Sequence, residues 1–413
     1  MQKRKSILFC GNGLSGEIIP TVKSWEYDVL AITEFPNDKG VSEARAVIEA
    51  PSREPAMALE AARQLVQQGQ CFDGVISLCW DCAVSVATIA EAFGLQSVSL
   101  QTAIAATDKY IRSNAFAAAG VPSPRFTIVQ SLDELESVTK SWQYPLILKP
   151  TDRSSCKGVV KVDEPYSLAS AYKYAQSFTS KTEILLNEYI LGTEHSTEGL
   201  MIKGKLYPTA LSDRIFRYEE SRPYFVEVGD IMPTALSPQQ VTDMFHVTEY
   251  AARALGILNG IVKGDLVYEK LRGPMVFEIA ARLGGPRFGT EMVPLSNGTN
   301  ILRAAIQQAL EEEINLDYLK PTFNRGMVNR SIFPLSGRVI SIAGLEEVKK
   351  LPGFYDFKWW SPDGLHVGDI IAPYENSCGE VGYLIATGET REAAIKNANQ
   401  IESSIHIETE AME

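Results

Sequence analysis

Residues 264–285 read GDLVYEKLRGPMVFEIAARLGG, and this stretch decides the fold prediction. Its two β-rich runs, GDLVYE and MVFEIAAR, are separated by a short turn and predict two adjacent strands. Asp265 in the first run and Glu278 in the second lie among apolar residues, where a carboxylate must find a cation or hydrogen bonds. A Mg²⁺ ion would meet that need with few protein ligands, and a buried network with Arg282 would meet it equally well.

Three lysines accompany these acids. Lys263 precedes Asp265 by two residues, so the alternation of a strand places both side chains on one face. Lys109 begins a predicted helix, and Lys149 ends the β-rich run YPLILKP. A lysine is a compact point charge suited to phosphate oxygens, although a solvated position at the rim of a site is equally ordinary.

Two segments that follow Lys149 have the composition of ligand-binding loops. The run TDRSSCKGVV carries Ser154, Ser155 and Gly158 between two predicted strands, and its backbone N–H groups could face an anion or simply form a hairpin turn. The run NEYILGTEH ends an apolar strand and contains Glu194, which could hold hydroxyl groups of a ligand or lie on the surface.

The chain divides into three predicted regions of an α/β (α+β) protein. Residues 1–105 alternate strands (SILFC, VLAIT, GVISL) with helices, which predicts a parallel βαβ domain. Residues 106–325 hold the runs described above, with a smaller subdomain at about 125–190. Residues 326–413 contain short strands and turns and end in the helical run REAAIKNANQIESSI, which predicts a small β-rich domain.

A glycine motif supports a different class of protein. Gly11, Gly13 and Gly16 in GNGLSG follow the first strand, and Glu34 lies near the end of the second. This context is typical of a dinucleotide site and of an NAD(P)-dependent oxidoreductase. Glycines at a strand–helix turn also allow the helix to pack closely on the sheet. We favour this explanation of the motif.

Composition excludes several classes of partner. The 413 residues carry a formal net charge of −12, which argues against nucleic acid or an anionic membrane as the main partner. No apolar run approaches the roughly 20 residues that span a bilayer, and the N-terminal start is too short for a signal peptide. Cys79 and Cys82 form one C-x-x-C pair without the histidines of a zinc site, so buried thiols in a reducing cytoplasm are expected.

The order of four runs resembles the ATP-grasp superfamily. The runs are DKYIRSNAFAAAGVPSPRF (108–126), YPLILKP (144–150), NEYILGTE (187–194) and residues 264–285. The chain looks most like the carboxylate–amine ligases of that superfamily, such as the L-amino acid ligases that make dipeptides. Biotin carboxylase and D-alanine–D-alanine ligase share the architecture, in which a Rossmann-like βαβ domain precedes the ATP-grasp domain and a small C-terminal β-rich domain follows it.

The resemblance implies the ligands and the residues that hold them. ATP and Mg²⁺, which Mn²⁺ could replace, are the implied cofactors, and Asp265 and Glu278 are the implied metal ligands. Arg282 would stabilise the reacting intermediate, with Lys263 as a second catalytic candidate. The implied ATP contacts are Lys109, Lys149, the loop through Ser154, Ser155 and Gly158, the side chain of Asn187, the hinge Glu188-Tyr189-Ile190 and Glu194.

Substrate contacts and assembly are less defined. Arg287, Arg214 and Glu227 are candidates for the substrates, which would be a small carboxylate and an amine joined through an acyl phosphate. A homodimer and a cytoplasmic location are expected by resemblance, and a carboxylase is a further alternative within the same fold. Two departures from the family pattern stand out: Asn187 replaces a frequent glutamate, and Ala280 replaces an asparagine, which leaves the number of metal ions open.

Overall fold

The computed structural model describes residues 4–13, 16–217, 222–285, 287–361 and 363–412. Leu14 and Ser15 of the glycine motif lie outside the described residues. The described chain forms a parallel sheet, a small lid sheet, one large antiparallel sheet and a three-stranded sheet. The mixed α/β class expected from the sequence is confirmed.

The N-terminal sheet is parallel, with strand order β3-β2-β1-β4. Its strands are β1 (Ser6–Cys10), β2 (Asp28–Thr33), β3 (Ala46–Glu49) and β4 (Gly74–Ile76). Its helices are α1 (Ile18–Ser24), α2 (Pro55–Gln67) and α3 (Ala83–Phe93). All residues of β1 are buried, which explains its clear apolar run. The edge strand β3 has no fully buried residue and was not predicted from the sequence.

The lid sheet is antiparallel, with strand order β5-β8-β6-β7. Its strands are β5 (Phe126–Val129), β6 (Leu146–Pro150), β7 (Val160–Val162) and β8 (Ile184–Glu188). Helices α4 (Leu100–Thr107) and α5 (Lys109–Ala119) precede it, and α6 (Leu132–Thr139) and α7 (Leu168–Ser177) lie within it. Apolar residues of β6, β7, β8 and α7 share one core, so the lid is a packed unit.

Helix α5 has a defined start and end. The side chain of Asp108 accepts hydrogen bonds from the backbone N–H groups of Tyr110 and Ile111, which satisfies the free donors of the first turn. Gly120 adopts φ +76° directly after the helix, a conformation that glycine reaches without steric cost. These two ends fix the positions of Lys109 and Arg112.

The large sheet is antiparallel, with strand order β13-β12-β9-β10-β11-β14-β18-β16. Its first five strands along the chain are β9 (Thr193–Ile202), β10 (Lys205–Phe216), β11 (Glu227–Met232), β12 (Gly260–Glu269) and β13 (Gly273–Ala280). Between β11 and β12 runs α8 (Pro238–Ala254), which begins at a capping box formed by Ser237 and Gln240.

The two faces of the large sheet differ in polarity. On one face, Met201, Leu211, Val262 and Ile279 share a core with residues of α8. Because neighbouring residues of a strand point to opposite faces, the other face carries the polar members of the same strands. These are Glu278, Asp265, Lys263, Ser196, Glu198 and Ser212, which cross-strand pairing places side by side.

The C-terminal region extends this sheet. Strands β14 (Gly326–Ile332), β16 (Phe354–Trp359) and β18 (Gly382–Gly388) join it, and β15 (Gly337–Ala343), β17 (Ile370–Ile371) and β19 (His406–Glu410) form the three-stranded sheet. The remaining helices are α9 (Val293–Asn297), α10 (Ile301–Ala309), α11 (Leu345–Val348) and α12 (Arg391–Ser404). The sheet is continuous across residue 325, and the three domain limits stay predictions. Among the described residues, no helix combines the length and apolarity that crossing a membrane requires.

Candidate functional site

The two predicted metal ligands lie directly opposite each other. Asp265 on β12 pairs in register with Glu278 on β13, as expected for adjacent antiparallel strands. Lys263 forms an ion pair with Asp265, and the hydroxyl of Ser196 donates to the same carboxylate at 3.0 Å. The site therefore begins as a pair of acids on one sheet face, with a lysine beside them.

Glu278 lies among several cations. Burial opposes its ionisation, but Arg112, Lys109, Lys263 and Arg282 together hold the pKa of Glu278 well below its usual range. Arg112 is 2% exposed and donates from its guanidinium to the Glu278 carboxylate at 3.1 Å. The same guanidinium donates to the carbonyl of Ala106 at 2.8 Å, which ties α4 and α5 to the acid pair.

Both predicted phosphate lysines reach this centre. Burial, followed by the charges of Lys109 and Arg112, lowers the pKa of Lys149 to about 7. Burial also lowers the pKa of Lys109, while the charge of Glu278 acts in the opposite direction. The charged forms of these two neighbouring lysines are disfavoured in the free protein. An added polyanion would stabilise those charged forms.

The loop between β6 and β7 has a strained backbone. Ser155 and Cys156 both adopt φ +58°, a conformation that residues with a side chain rarely populate. Gly158 adopts φ +73°, and a Cβ there would lie 2.7 Å from a Pro150 carbon. Burial alone would raise the pKa of Asp81, but Arg282 and the nearby side chain of Ser154 lower it, so this loop lies next to the segment that follows the N-terminal sheet. We call residues 154–158 the phosphate loop.

The predicted hinge follows β8. The side-chain oxygen of Asn187 is buried and has no hydrogen-bond partner among the described residues. Ile190 is buried against Val267 and Met275 in a small apolar cluster. A free buried acceptor beside an apolar surface fits a flat heteroaromatic ring that carries an amino group. The carboxylate of Glu188 is engaged, because Arg272 donates to both of its oxygens at 3.1 Å.

Arg214 is the centre of a second charged cluster. It forms a bidentate pair with Glu227, at 2.9 Å from its Nε, and its guanidinium lies 3.4 Å from Glu194 and 3.5 Å from Asp265. Burial raises the pKa of Glu194 to about 7, although Arg214 opposes that shift. The structure thus brings Arg214, Glu227 and Glu194 together at one edge of the acid pair.

The two remaining predicted arginines differ in their surroundings. Arg282 forms an ion pair with Asp81 and lies close enough to Glu278 to shift the pKa of that carboxylate. The guanidinium of Arg287 is held by Glu291 and, at 2.6 Å, by Asp356. Arg282 therefore lies beside the acid pair. The guanidinium of Arg287, which was expected to bind a substrate carboxylate, is bound to two carboxylates of the chain itself.

Several residues of the site were not predicted. Asp81 lies inside the C-x-x-C pair after β4 and Arg112 lies inside the run 108–126 on α5, but neither residue was predicted to belong to the site. Glu198 and Asp230 are buried on the polar sheet face, where burial raises the pKa of Glu198 to about 8 and that of Asp230 to about 7. Alternation along β9 would have found Glu198, because it follows Ser196 by two residues and pairs in register with Lys263.

The glycine motif has a packing reason in this structure. A Cβ on Gly11 would lie 3.0 Å from the sulfur of Cys82, and one on Gly13 would lie 2.4 Å from the sulfur of Cys79. Glu34, the expected ribose acid, accepts hydrogen bonds from the backbone N–H and the hydroxyl of Ser52. These contacts favour close packing over a dinucleotide site as the reason for the glycines.

A glycine substitution tests this packing. Gly13→Ala should lower the free energy of unfolding by about 1–3 kcal/mol, because it adds backbone strain and a clash with Cys79. Gly69→Ala is the matched control, since Gly69 also has a positive φ and nothing lies within 4 Å of its added Cβ. Urea denaturation should show the larger loss for Gly13→Ala and partial recovery with Cys79→Ala. Equal losses in both single variants would contradict the packing account.

The C-x-x-C pair is a pair of free thiols. Cys82 is buried, and its thiol donates to the carbonyl of Cys10 at 3.0 Å. Among the described residues, no three histidine, cysteine or acidic side chains form a group that could hold a metal ion. The two-carboxylate arrangement of Asp265 and Glu278 fits a Mg²⁺ ion whose other ligands are phosphate and water.

Comparisons with known proteins identify two domains. The family model of an ATP-grasp domain matches residues 106–286, and that of the L-amino acid ligase C-terminal domain 2 matches residues 330–410. The chain is 25% identical over 332 residues to an uncharacterized protein of Sinorhizobium fredii, covering 79% of this chain and 66% of that protein. It is also 25% identical over 251 residues to the alanine–anticapsin ligase of Bacillus subtilis, covering 55% of this chain and 52% of that enzyme.

A solved structure matches over almost the whole chain. The L-amino acid ligase from Bacillus licheniformis superimposes with a TM-score of 0.83 at 24% identity, covering 99% of this chain and 100% of that chain. At this identity the likeness confirms the fold. The chain spans about two thirds or less of the two curated relatives named above.

Proposed function

We propose that this chain, whose residues 106–286 match an ATP-grasp domain and whose residues 330–410 match an L-amino acid ligase C-terminal domain, is a carboxylate–amine ligase that joins a small carboxylic acid, such as an amino acid, to an amine through an acyl phosphate. The observation that carries the proposal is the acid pair Asp265 and Glu278, surrounded by Arg112, Lys109 and Arg282. Two acids and several cations at one place match a site for a metal-bound polyphosphate.

ATP would lie between the lid and the large sheet. Lys109 and Lys149 would contact its phosphates, and residues 154–158 would cover them. Asn187 and the hinge Glu188-Tyr189-Ile190 would hold adenine, with the free side-chain oxygen of Asn187 accepting from the adenine amino group. Glu194, whose raised pKa favours a protonated carboxyl, would hydrogen-bond the ribose hydroxyls.

Asp265 and Glu278 fit Mg²⁺, or Mn²⁺ in its place, with Ala280 offering no further ligand. When bound, the ion would offset the negative charge on the phosphoryl oxygens. Glu278 suits that contact because its low pKa keeps it ionised at any physiological pH.

The reaction would have two steps. An oxygen of the substrate carboxylate attacks the γ-phosphorus of ATP, the bond to the bridging oxygen breaks, and ADP leaves. The amine nitrogen then attacks the carbonyl carbon of the acyl phosphate and loses a proton, and inorganic phosphate leaves as the amide forms. Arg282 is positioned by Asp81 to stabilise the oxyanion of the second step, with Lys263 beside it.

The second charged cluster is the candidate substrate site. Glu227 would accept from a substrate ammonium group, because its carboxylate is oriented by two donors of Arg214. Arg214 also lies against Glu194 and Asp265, so one guanidinium would connect the substrate, the nucleotide and the metal. Arg287 would act less directly, through Glu291 and Asp356.

The test of this function is a substrate screen with ADP detection. The protein, ATP and Mg²⁺ should release ADP and phosphate in step with an amide product, which mass spectrometry identifies in pools of amino acids. Omission of either the carboxylate or the amine should remove the product. Tight binding of NADH without ATP binding would instead support the oxidoreductase alternative.

The low pKa of Lys149 predicts a pH dependence of ATP binding. Lys149 is about half protonated near pH 7 in the free protein, and phosphate oxygens favour its charged form. ATP binding should therefore take up a proton, and affinity should fall by at most about tenfold per pH unit above pH 7. Titration calorimetry in buffers of different ionisation enthalpy measures that proton.

The matched variant for this test is Lys149→Arg. Arginine stays protonated, so proton uptake assigned to residue 149 should disappear while a positive charge remains. Wild-type affinity that does not change between pH 6 and pH 9 would contradict the assignment of Lys149 to the phosphates.

The oligomeric state and the cellular location of the protein are also proposals. We expect a homodimer, which light scattering of the purified protein measures directly, and a monomer would contradict it. We also expect a cytoplasmic location, which cell fractionation tests.

A further inference from the structure

Ser377 connects two parts of the site that are distant in sequence. It begins the short turn Ser377–Gly379, which precedes β18. Its backbone N–H donates to the carbonyl of Ser155 in the phosphate loop at 3.3 Å. Its hydroxyl accepts from the backbone N–H of Glu227 at 3.2 Å. One residue therefore contacts both the loop over the phosphates and the strand that carries the candidate substrate acid.

The loop depends on such contacts. Ser155 and Cys156 are both held at φ +58°, and a strained backbone persists only where the surroundings fix it. Burial raises the pKa of the Cys156 thiol and the nearby Ser377 opposes that shift, so two consecutive strained residues lie next to the same serine. Ser377, which also contacts the candidate substrate acid Glu227, thus stabilises the position that the loop has in this structure, which we call closed.

Neighbouring contacts hold the lid at the same place. The hydroxyl of Tyr174 on α7 donates to the carbonyl of Glu375 at 3.3 Å. The backbone N–H of Lys161 on β7 donates to the carbonyl of Pro223 at 2.9 Å, and Val160 forms a bridge with Tyr224. The lid therefore contacts the segments that precede β11 and β18. Ser377 belongs to the second of these segments and lies next to Glu227.

We propose that Ser377 is a positioning residue that couples closure of the phosphate loop to occupancy of the substrate site at Glu227. The proposal rests on the ligase function proposed above. A substrate bound to Glu227 fixes the start of β11, and the Glu227 N–H then holds the Ser377 hydroxyl. Ser377 in turn holds Ser155, so the loop covers the γ-phosphate when a carboxylate is in place to accept it.

The coupling has a chemical purpose. A loop that closes without the carboxylate would cover ATP beside water, and water would then accept the phosphoryl group. A loop that opens early would expose the acyl phosphate to hydrolysis before the amine attacks. In both cases ATP is consumed without amide product, so the ratio of ADP to amide measures the coupling.

The kinetic test compares Ser377→Ala with Ser377→Thr. Loss of the hydroxyl should raise both the ADP-to-amide ratio and the KM of the carboxylate substrate by about three- to tenfold, the effect of one neutral hydrogen bond, and leave the KM of ATP unchanged. Ser377→Thr keeps the hydroxyl and should restore both values. Cys378→Ala changes the exposed neighbour and should resemble the wild type. An unchanged ratio and KM in Ser377→Ala would overturn the proposal.

A second measurement does not depend on activity. Trypsin cuts after Arg153 and Lys157, which flank the strained residues, only when the loop leaves its closed position. Cleavage there should be about three- to tenfold faster in Ser377→Ala than in the wild type or Ser377→Thr. Equal cleavage rates would overturn the contact as a determinant of closure. If the wild type forms no amide from any acid and amine, the ligase function fails, and the cleavage rates still decide whether Ser377 holds the loop.

Discussion

Glu278→Gln should reduce the turnover number by about a thousandfold, because metal-assisted charge neutralisation contributes several kcal/mol to phosphoryl transfer. Glutamine keeps the size of the side chain and one oxygen, but it removes the charge that Mg²⁺ and the surrounding cations share. Steady-state ADP release at saturating ATP and substrates measures the loss, and it should not be recovered by raising Mg²⁺ to millimolar concentrations.

The fold should survive this substitution at a lower stability. Arg112 is buried and would lose its ionised partner, so the free energy of unfolding should fall by about 1–3 kcal/mol while the circular dichroism spectrum stays native. Glu269→Gln on the same hairpin is the control, because Glu269 accepts from the backbone of the turn at Leu271 and Arg272. Turnover in Glu278→Gln equal to that of the control would remove Glu278 from the metal site.

Arg282→Ala should lower the turnover number by about 10²–10³-fold, the usual cost of removing one preorganised donor to a developing oxyanion. The Arg282 guanidinium is oriented by Asp81 and by its own hydrogen bond to the carbonyl of Leu283 at 2.9 Å. Asp81→Asn should therefore have a smaller effect in the same direction. The KM of ATP should change little in either variant, because the proposed contact is to the reacting carbonyl.

The control for this prediction is Arg338→Ala on the three-stranded sheet, where the side chain is exposed and donates to the carbonyl of Gly368. Its kinetic constants should equal those of the wild type. A rise in KM with an unchanged turnover number in Arg282→Ala would show uniform binding of substrate and would contradict a contact made in the transition state.

The sequence predicted those parts of the site that local periodicity determines. The alternation of a strand places Lys263 and Asp265 on one face, and the turn at Arg272 aligns Asp265 with Glu278, so this core follows from residues 263–285 alone. Lys109 and Lys149, which the structure places near Glu278, were predicted because each lies at the boundary of a strongly patterned element.

Residues that depend on packing between elements were missed. Arg112 looks like a surface residue of an amphipathic helix, and only the approach of α5 to the large sheet buries it beside Glu278. Asp81 follows β4 of the N-terminal sheet and meets Arg282 across 201 residues of chain. The partners of Arg287 were missed for the same reason: the sequence places an arginine after the central hairpin but does not show that Glu291 and Asp356 pack against it.

The glycine spacing that is typical of a dinucleotide site also allows another segment of the protein to pack closely. Gly11 and Gly13 meet the spacing of a dinucleotide site, but local sequence does not specify what approaches their backbone. In the structure the Cys79–Cys82 segment does so, and Asp81 of that segment reaches Arg282. Glycines that suggested a nucleotide in the N-terminal domain thus support the segment that positions an arginine of the ATP-grasp site.

Activation as an acyl phosphate moves an oxygen from the substrate carboxylate to inorganic phosphate, and an isotope measurement follows that oxygen. A carboxylate substrate identified by the screen is labelled with ¹⁸O in both carboxylate oxygens and incubated with ATP, Mg²⁺ and the amine. Each turnover should transfer one labelled oxygen to inorganic phosphate, because the carboxylate oxygen that attacks the γ-phosphorus leaves with the phosphate. Amide formation with unlabelled phosphate would contradict the acyl-phosphate mechanism.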